Sequence, residues 1–240
     1  MTNKIKWPNF NDLLIDAIPR DHNRQVKSPY FIDDMLALGK VEKVVDLGCG
    51  MGNSFDLFHK KDPKIKWVGV DIESSPEVSC RARADADFIT YDGIHLPFEE
   101  NSVDLIFSDQ ALEHVRSPKE LLREINRVLK PGKCFSGSVS YLEPYHSFSL
   151  WNYTPYGFKI LLEEAGMTLE QIRPGIDSFT LIIRQILGRP KYFDRFWEKE
   201  SLFNALIGMI GRLKGKAPQK VNLAKLRYCG QFVFLARKKR

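Results

Sequence analysis

The sequence has few cysteines and no long apolar run. Its cysteines are Cys49, Cys80, Cys134 and Cys229, which lie far apart and form no C-x-x-C pair. We therefore expect reduced thiols, no disulfide framework and no metal site. No apolar stretch approaches the roughly 20 residues that cross a bilayer, and the first residues lack the apolar segment of a signal peptide. These absences predict a cytoplasmic protein.

The sequence also lacks the common phosphate-binding loops. Residues 44–54 read Val-Val-Asp-Leu-Gly-Cys-Gly-Met-Gly-Asn-Ser, an apolar strand that runs into alternating glycines. No Lys-Ser or Lys-Thr follows, which excludes a P-loop, and Asn53 stands where the dinucleotide fingerprint needs its last glycine. Gly48 and Gly50 have no Cβ, so their amides can approach a ligand closely. Asp46 suits a ligand with a positive end and would repel a pyrophosphate.

Two further apolar runs also end in an acidic residue. Residues 66–71 end at Asp71, about twenty residues after the glycine loop, where a second-strand carboxylate meets ribose hydroxyls. Residues 88–93 contain the third acid, Asp92, followed by a glycine. Three successive strands are thus predicted to carry Asp46, Asp71 and Asp92 to one edge of a sheet.

Together with later blocks, these motifs resemble the class I S-adenosylmethionine-dependent methyltransferases. The later blocks are Leu-Pro-Phe at 96–98, Asn-Ser-Val-Asp at 101–104, Leu-Glu-His-Val at 112–115 and Arg-Val-Leu-Lys-Pro-Gly at 127–132. The resemblance extends over residues 40–140 and, more loosely, over 150–173. It implies S-adenosyl-L-methionine as cofactor. The implied contacts are Asp46, Gly48 and Gly50 for its methionine part, Asp71 for the ribose hydroxyls, Ile72 for one adenine face, and Asp92 with Gly93 for the adenine edge.

The alternation of strands and helices predicts an α/β fold, a Rossmann-like doubly wound sheet. We expect seven strands, mostly parallel, with an antiparallel last strand. Residues 1–40 are predicted to form an N-terminal helical cover, and residues 41–240 the methyltransferase domain with a basic helical insertion at about 176–228. Strands are expected near 43–47, 66–71, 86–91, 103–108, 133–140, 169–173 and 230–236, and core helices near 52–60 and 117–130.

Positive charge is concentrated at the end of the chain. Residues 180–240 contain 15 Lys and Arg against 3 acidic residues, a net charge of +12, whereas residues 1–179 carry 21 against 27, a net charge of −6. This asymmetry indicates either an anionic partner or a basic solvated face. For the apolar helix near 202–213 four interpretations stay open: a substrate lid, a homodimer face, a peripheral contact with a membrane surface, or core of the insertion.

Histidines are the candidates for removing a proton from the methyl acceptor. His146 follows the fifth predicted strand at the ligand edge and is the preferred base. His114 belongs to the Leu-Glu-His-Val block and is expected to shape the site. Aromatic residues in 151–158 resemble methyltransferases of glycan biosynthesis. We therefore expect O-methylation of a small-molecule or glycan-type acceptor, with anionic groups. The alternatives are a quinone-ring methyltransferase, an RNA methyltransferase and a non-catalytic cofactor-binding module; nucleic acid ranks low because no RNA-binding module is recognisable.

Overall fold

A computed structural model describes residues 10–37 and 39–240. Residues 1–9 and Leu38, which belong to the predicted N-terminal cover, lie outside the described residues. Within the cover, helix α1 (Phe10–Leu14) continues into a 3-10 turn (Ile15–Ala17), and after an irregular segment a second 3-10 turn (Ser28–Phe31) leads into helix α2 (Ile32–Ala37).

Seven strands form one sheet in the order β3-β2-β1-β4-β5-β7-β6. The strands β1 to β5 run parallel to one another, and β7 is antiparallel to both of its neighbours, β5 and β6. The predicted sheet, mostly parallel with an antiparallel last strand, is therefore confirmed. The strands are β1 Lys43–Leu47, β2 Lys66–Asp71, β3 Asp87–Thr90, β4 Val103–Asp109, β5 Leu129–Ser140, β6 Met167–Pro174 and β7 Gln231–Lys238.

Helices cover both faces of this sheet. In α5 the apolar residues Leu121, Leu122, Ile125 and Val128 recur at helical spacing and are all buried. The helices that follow α2 are α3 Ser54–Lys61, α4 Pro76–Ser79, α5 Pro118–Val128, α6 Pro155–Glu164, α7 Ser178–Ile186, α8 Arg195–Glu198, α9 Leu202–Leu213 and α10 Pro218–Leu226.

The boundary between α5 and β5 differs from the prediction. The helix was expected to reach residue 130, yet Leu129 already belongs to the strand and pairs with Val103 of β4. Pro131 explains the difference, because a proline disfavours helical backbone at the residue before it, here Lys130. The strand therefore begins four residues earlier than the apolar pattern suggested.

The insertion packs against the N-terminal segment. Lys225 of α10 is buried; its ammonium donates to the Asn23 carbonyl (2.6 Å) and forms an ion pair with Glu200. The Asn222 amide donates to the His22 carbonyl (2.8 Å). Segments about 200 residues apart in sequence thus form one layer at the end of β6. None of the helices in the described part of the chain is long and apolar enough to cross a bilayer.

Candidate functional site

The glycine loop after β1 has the left-handed backbone that its sequence predicts. Gly48 has φ +71° and Gly50 has φ +50°. A Cβ built on Gly48 would lie 2.2 Å from the Cβ of Ala111, so the loop packs directly against the segment after β4. The Gly48 amide donates to the Val70 carbonyl (2.8 Å) and fixes the loop at the carboxyl end of β2. Only glycine fits at position 48.

Asp46 is a buried carboxylate below this loop. It accepts a hydrogen bond from the Ser54 hydroxyl (2.5 Å), which in turn accepts one from the indole of Trp67 (2.9 Å). Burial raises the pKa of Asp46 to about 7, and the negative charges of Asp109 and Asp71 add to this effect. No cation among the described residues pairs with it. A ligand with a positive end would supply the missing charge.

Asp71 lies at the end of β2 and faces the glycine loop. Its carboxylate accepts hydrogen bonds from the Gly50 amide (2.7 Å) and from the Ile72 amide (2.8 Å). These bonds fix the carboxylate at the carboxyl edge of the sheet. The side chain of Ile72 is 43% exposed beside it, which leaves an apolar surface open to a ligand.

Asp92 follows β3 and is bound by its own loop. One carboxylate oxygen accepts from the amides of Ile94 (2.8 Å) and His95 (2.7 Å), and the other contacts His95 Nδ1 (2.7 Å). The hydrogen bonds from His95 lower the pKa of Asp92 to about 2. Gly93 has φ +90° and lies beside Ile72. Asp92 thus shapes this loop as well as being the predicted adenine contact.

The arrangement fits S-adenosylmethionine. The buried carboxyl of Asp46 lacks a cation, the loop leaves room only for glycine at position 48, and Asp71 presents a carboxylate beside the exposed face of Ile72. These groups match the ammonium end, the ribose hydroxyls and the adenine of that compound.

A cavity of about 240 Å³ opens at the same edge of the sheet, beyond β4, β5 and β7. The N-terminal segment and the insertion both contribute walls, and the Lys27 ammonium on one wall pairs with the Glu198 carboxylate on the other (2.6 Å). Because β4 pairs with β1, with Phe107 opposite Asp46, and ends at Asp109 in the cavity lining, the cavity adjoins the predicted cofactor position. Its lining includes Gln25, Lys27, Asp109, Gln110, Ser138, Ile176, Trp197, Glu198 and Gln231.

The two histidines proposed from the sequence lie together. The rings of His114 and His146 are 5.8 Å apart between centroids and nearly perpendicular. His22 is elsewhere, in contact with the Tyr30 hydroxyl (2.8 Å), and His95 binds Asp92.

Two carboxylates that sequence reasoning missed accompany the histidine pair. The Ser140 hydroxyl lies 2.9 Å from Glu113 Oε1 and 2.8 Å from Glu143 Oε2. Glu113 is fully buried, and burial raises its pKa to about 8. A signal was present, since Glu113 precedes His114 in the Leu-Glu-His-Val block and Glu143 follows the fifth strand.

A larger groove of about 610 Å³ lies between the start of α5 and the residues before α6. Its walls include Arg116, Lys119, Arg123 and Trp151, and none of the predicted cofactor residues lines it. We therefore place the candidate site at the carboxyl edge of the sheet, where the predicted cofactor residues lie.

Comparison with known proteins agrees with this geometry. The family described as "Methyltransferase domain" matches residues 45–136, from the glycine loop to the middle of β5. This part of the chain belongs to the class I S-adenosylmethionine-dependent methyltransferases. The resemblance seen in the sequence motifs is thereby confirmed, as is the cofactor class that it implies.

Curated relatives are similar to less than half of the chain. Trans-aconitate 2-methyltransferase of Shigella flexneri serotype 5b (strain 8401) is 35% identical over 114 residues, which are 45% of this chain and 44% of the relative. Demethylmenaquinone methyltransferase of Renibacterium salmoninarum is 36% identical over 99 residues, 40% of this chain and 41% of the relative. The chain thus matches less than half the length of these relatives.

A solved structure extends the similarity to most of the chain at the level of fold. An S-adenosylmethionine-dependent methyltransferase from Mesorhizobium loti superposes with a TM-score of 0.51 at 19% identity, over 87% of this chain and 97% of that one. At this identity the likeness shows a shared fold. A shared fold does not determine the methyl acceptor, which depends on the residues of the site itself.

Proposed function

We propose that this protein transfers a methyl group from S-adenosylmethionine to a hydroxyl of a small, glycan-type acceptor. One observation carries the proposal: β4 pairs with β1 beside Asp46, and Asp109 at the end of β4 lines the cavity. A cofactor held by Asp46 and Asp71 would therefore lie next to a second, separate space. Methyl transfer needs this arrangement, because donor and acceptor must meet in line.

The residues of the chain would mainly align the reactants. S-adenosylmethionine supplies a methyl group that is already activated on a sulfonium. Asp46 and Asp71 would fix the cofactor, and the cavity would fix the acceptor oxygen on the opposite side of the methyl carbon. As the new carbon–oxygen bond forms, the carbon–sulfur bond breaks and its electron pair returns to sulfur. The acceptor proton would pass to His146, which His114 helps to position.

The lining of the cavity supports an acceptor with several hydroxyls. Hydrogen-bonding groups of Gln25, Gln110, Ser138 and Gln231 surround a small space that has one aromatic wall, Trp197. The basic residues of the insertion would serve an anionic part of the acceptor outside this space. A quinone ring is the second candidate acceptor, because a demethylmenaquinone methyltransferase is among the relatives; RNA ranks third.

The insertion is proposed to close the acceptor space. Trp197 and Glu198 belong to it and line the cavity, which favours a lid. Trp197→Ala should weaken acceptor binding at least fivefold and leave cofactor binding unchanged, since Trp197 lines the cavity and its other contacts, such as Arg184, lie within the insertion. Leu213→Ala, at an 80% exposed position of α9, is the matched control and should change neither. An equal loss of acceptor binding in both variants would contradict the lid.

The exposed apolar side chains of the insertion leave two further roles to test. Ile186 is 78% exposed and Leu213 is 80% exposed, near the basic residues Arg212 and Lys214. Flotation with anionic liposomes at low salt, reversed at high salt, would support contact with a membrane surface. A twofold molar mass in light scattering would instead support a homodimer.

The acceptor class is tested with radiolabelled S-adenosylmethionine and a cell extract separated into lipid, glycan, protein and RNA fractions. We expect label in the glycan or small-molecule fraction, and its loss with Asp71→Asn. Label confined to RNA or protein would overturn the proposed acceptor. Cofactor binding without label in any fraction would favour the non-catalytic module.

A further inference from the structure

We propose that Glu113, His114 and His146 form a binding site for one divalent transition-metal ion. Each residue offers one potential ligand atom, and the three atoms lie within 4.8 Å of one another. The cluster lies at the carboxyl edge of the sheet, where the segment after β4 meets the segment after β5. The expectation of no metal site rested on the cysteine pattern. This cluster contains no cysteine, so that pattern gives no information about it.

Unpartnered polar atoms inside the cluster point to a missing ligand. Glu113 Oε2 and His114 Nδ1 are both buried, and neither has a hydrogen-bond partner among the described residues. Glu113 itself is fully buried. A buried polar atom without a partner destabilises a protein by about 1–3 kcal/mol, so two such atoms on adjacent residues need an explanation. A single cation between them would satisfy both.

The surroundings resemble the outer shell of a metal site. The Ser140 hydroxyl bonds the other oxygen of Glu113, Oε1 (2.9 Å), which leaves Oε2 for the ion. The Glu143 carboxylate adjoins the third residue, with Oε1 3.8 Å from His146 Nδ1. Carboxylates and hydroxyls in these positions hold ligands in place and raise their basicity.

The donor set defines the class of ion. Two imidazoles and one carboxylate suit Zn²⁺, Co²⁺, Mn²⁺ or Fe²⁺, while Mg²⁺ and Ca²⁺ prefer oxygen ligands alone. Three protein ligands also leave at least one coordination position open. An oxygen of a small molecule can occupy that position, as at catalytic metal sites.

The consequence for catalysis rests on the proposed function, whereas the binding of the ion does not. An ion in this site would polarise an acceptor hydroxyl and make its proton easier to remove. His146 would then be a ligand, and the proton would pass to solvent. The acceptor cavity is close enough for this role, because Gln110 lines it and its side-chain amide lies 3.1 Å from Ser140 Oγ.

The test uses the full chain without cofactor or acceptor. After treatment with a chelator, the protein is titrated with Co²⁺ while its visible absorption is recorded, and with Zn²⁺ by calorimetry. We expect one equivalent to bind, without the thiolate charge-transfer absorption that cysteine ligands would give. Zn²⁺ should also raise the melting temperature, because it binds the folded state.

Variants locate the site. Glu113→Gln keeps the shape of the side chain, and His146→Gln changes a partly exposed residue, so both should fold; each should weaken Zn²⁺ binding at least tenfold and abolish the thermal shift. His59→Gln, at an exposed histidine of α3, is the control and should bind as the wild type does. No bound ion, or binding that survives both site variants, would overturn the inference. Methyl transfer without a bound ion would leave the proposed function intact, and a bound ion without methyl transfer would refute only that function.

Discussion

The two halves of the sheet edge are built in different ways. On the cofactor side, the predicted ligand contacts come from short motifs at the ends of successive strands, β1, β2 and β3. On the acceptor side, one cavity is lined by Gln25, Asp109, Ser138, Trp197 and Gln231, which span most of the chain. Local sequence therefore determines the first half, and long-range packing determines the second. Variants that affect one half and spare the other test this difference.

The largest expected effect concerns Asp46 and pH. Burial raises its pKa to about 7, well above the value near 3.9 of an unfolded chain. The folded state therefore binds the proton more tightly, and stability falls as pH rises from about 4 to about 7, by about 4 kcal/mol at 1.36 kcal/mol per pKa unit. Asp46→Asn should remove the part of the slope that Asp46 causes and leave the part caused by Glu113, whose pKa burial raises to about 8, as measured by urea unfolding at pH 5 and pH 8.

Ligand binding provides the matching control for Asp46. A cationic ligand end favours the charged carboxylate. The affinity of the wild type for S-adenosylmethionine should therefore rise from pH 6 to pH 8, whereas the affinity of Asp46→Asn should not. The same pH slope of stability in wild type and Asp46→Asn would show that another group causes it.

A smaller effect is expected from the glycine loop. Gly48→Ala would place a Cβ 2.2 Å from that of Ala111 in a left-handed backbone, and should destabilise the fold by about 3 kcal/mol through overpacking and strain. Gly215→Ala has the same backbone problem, with φ +59°, but open space around it. It should lose only about 1 kcal/mol. Equal losses in the two variants would mean that contact with Ala111 does not matter.

On the acceptor side, Gln25 joins the N-terminal segment to the insertion. Its amide donates to the Phe196 carbonyl (2.7 Å), and its oxygen accepts from Ser201 Oγ (2.6 Å) and Asn204 Nδ2 (2.8 Å). Gln25→Ala should destabilise the fold by about 2 kcal/mol and weaken acceptor binding, because buried partners lose their bonds. Cofactor affinity should not change.

Chemical denaturation with a calorimetric titration checks the Gln25 variant, and Gln185→Ala at an exposed position is its control. A drop in cofactor affinity as large as the drop in acceptor affinity would show that the two halves are not independent.

The smallest effect belongs to the ion pair between Lys27 and Glu198 across the cavity. Both side chains are about half exposed or more, so Lys27→Ala should change stability by less than about 1 kcal/mol. Lys61→Ala breaks an ion pair with Asp33 of similar exposure, neither residue lines the cavity, and the variant is the matched control. Only Lys27→Ala should raise the KM for the acceptor. The same KM in both variants would show that this ion pair does not affect acceptor binding.

The same contrast explains what the sequence could predict. Asp46 and Asp71 were recognisable because each ends an apolar run at a fixed distance from the glycines. The role of Lys225 was not recognisable, because the sequence presents it as one more basic residue of a solvated face. It is buried, and its partners are Asn23 and Glu200. Such pairings depend on how remote segments pack, and no local pattern records them.

Glu113 lies between these two cases. Its position beside His114 is visible in the sequence, yet its burial against Ser140 depends on the pairing of β4 with β5. A motif could mark the residue as part of the site, but only the fold reveals its unpartnered oxygen.

Calorimetric titration with S-adenosylhomocysteine tests the central claim most directly, since it measures the cofactor half alone. The wild type should bind, and Asp71→Ala should bind about 10- to 100-fold more weakly, because charge-assisted hydrogen bonds to the ribose are lost. Asp87→Ala, an exposed carboxylate at the other end of the neighbouring strand, should bind as the wild type does. No binding by the wild type, or equal losses in the two variants, would contradict the account.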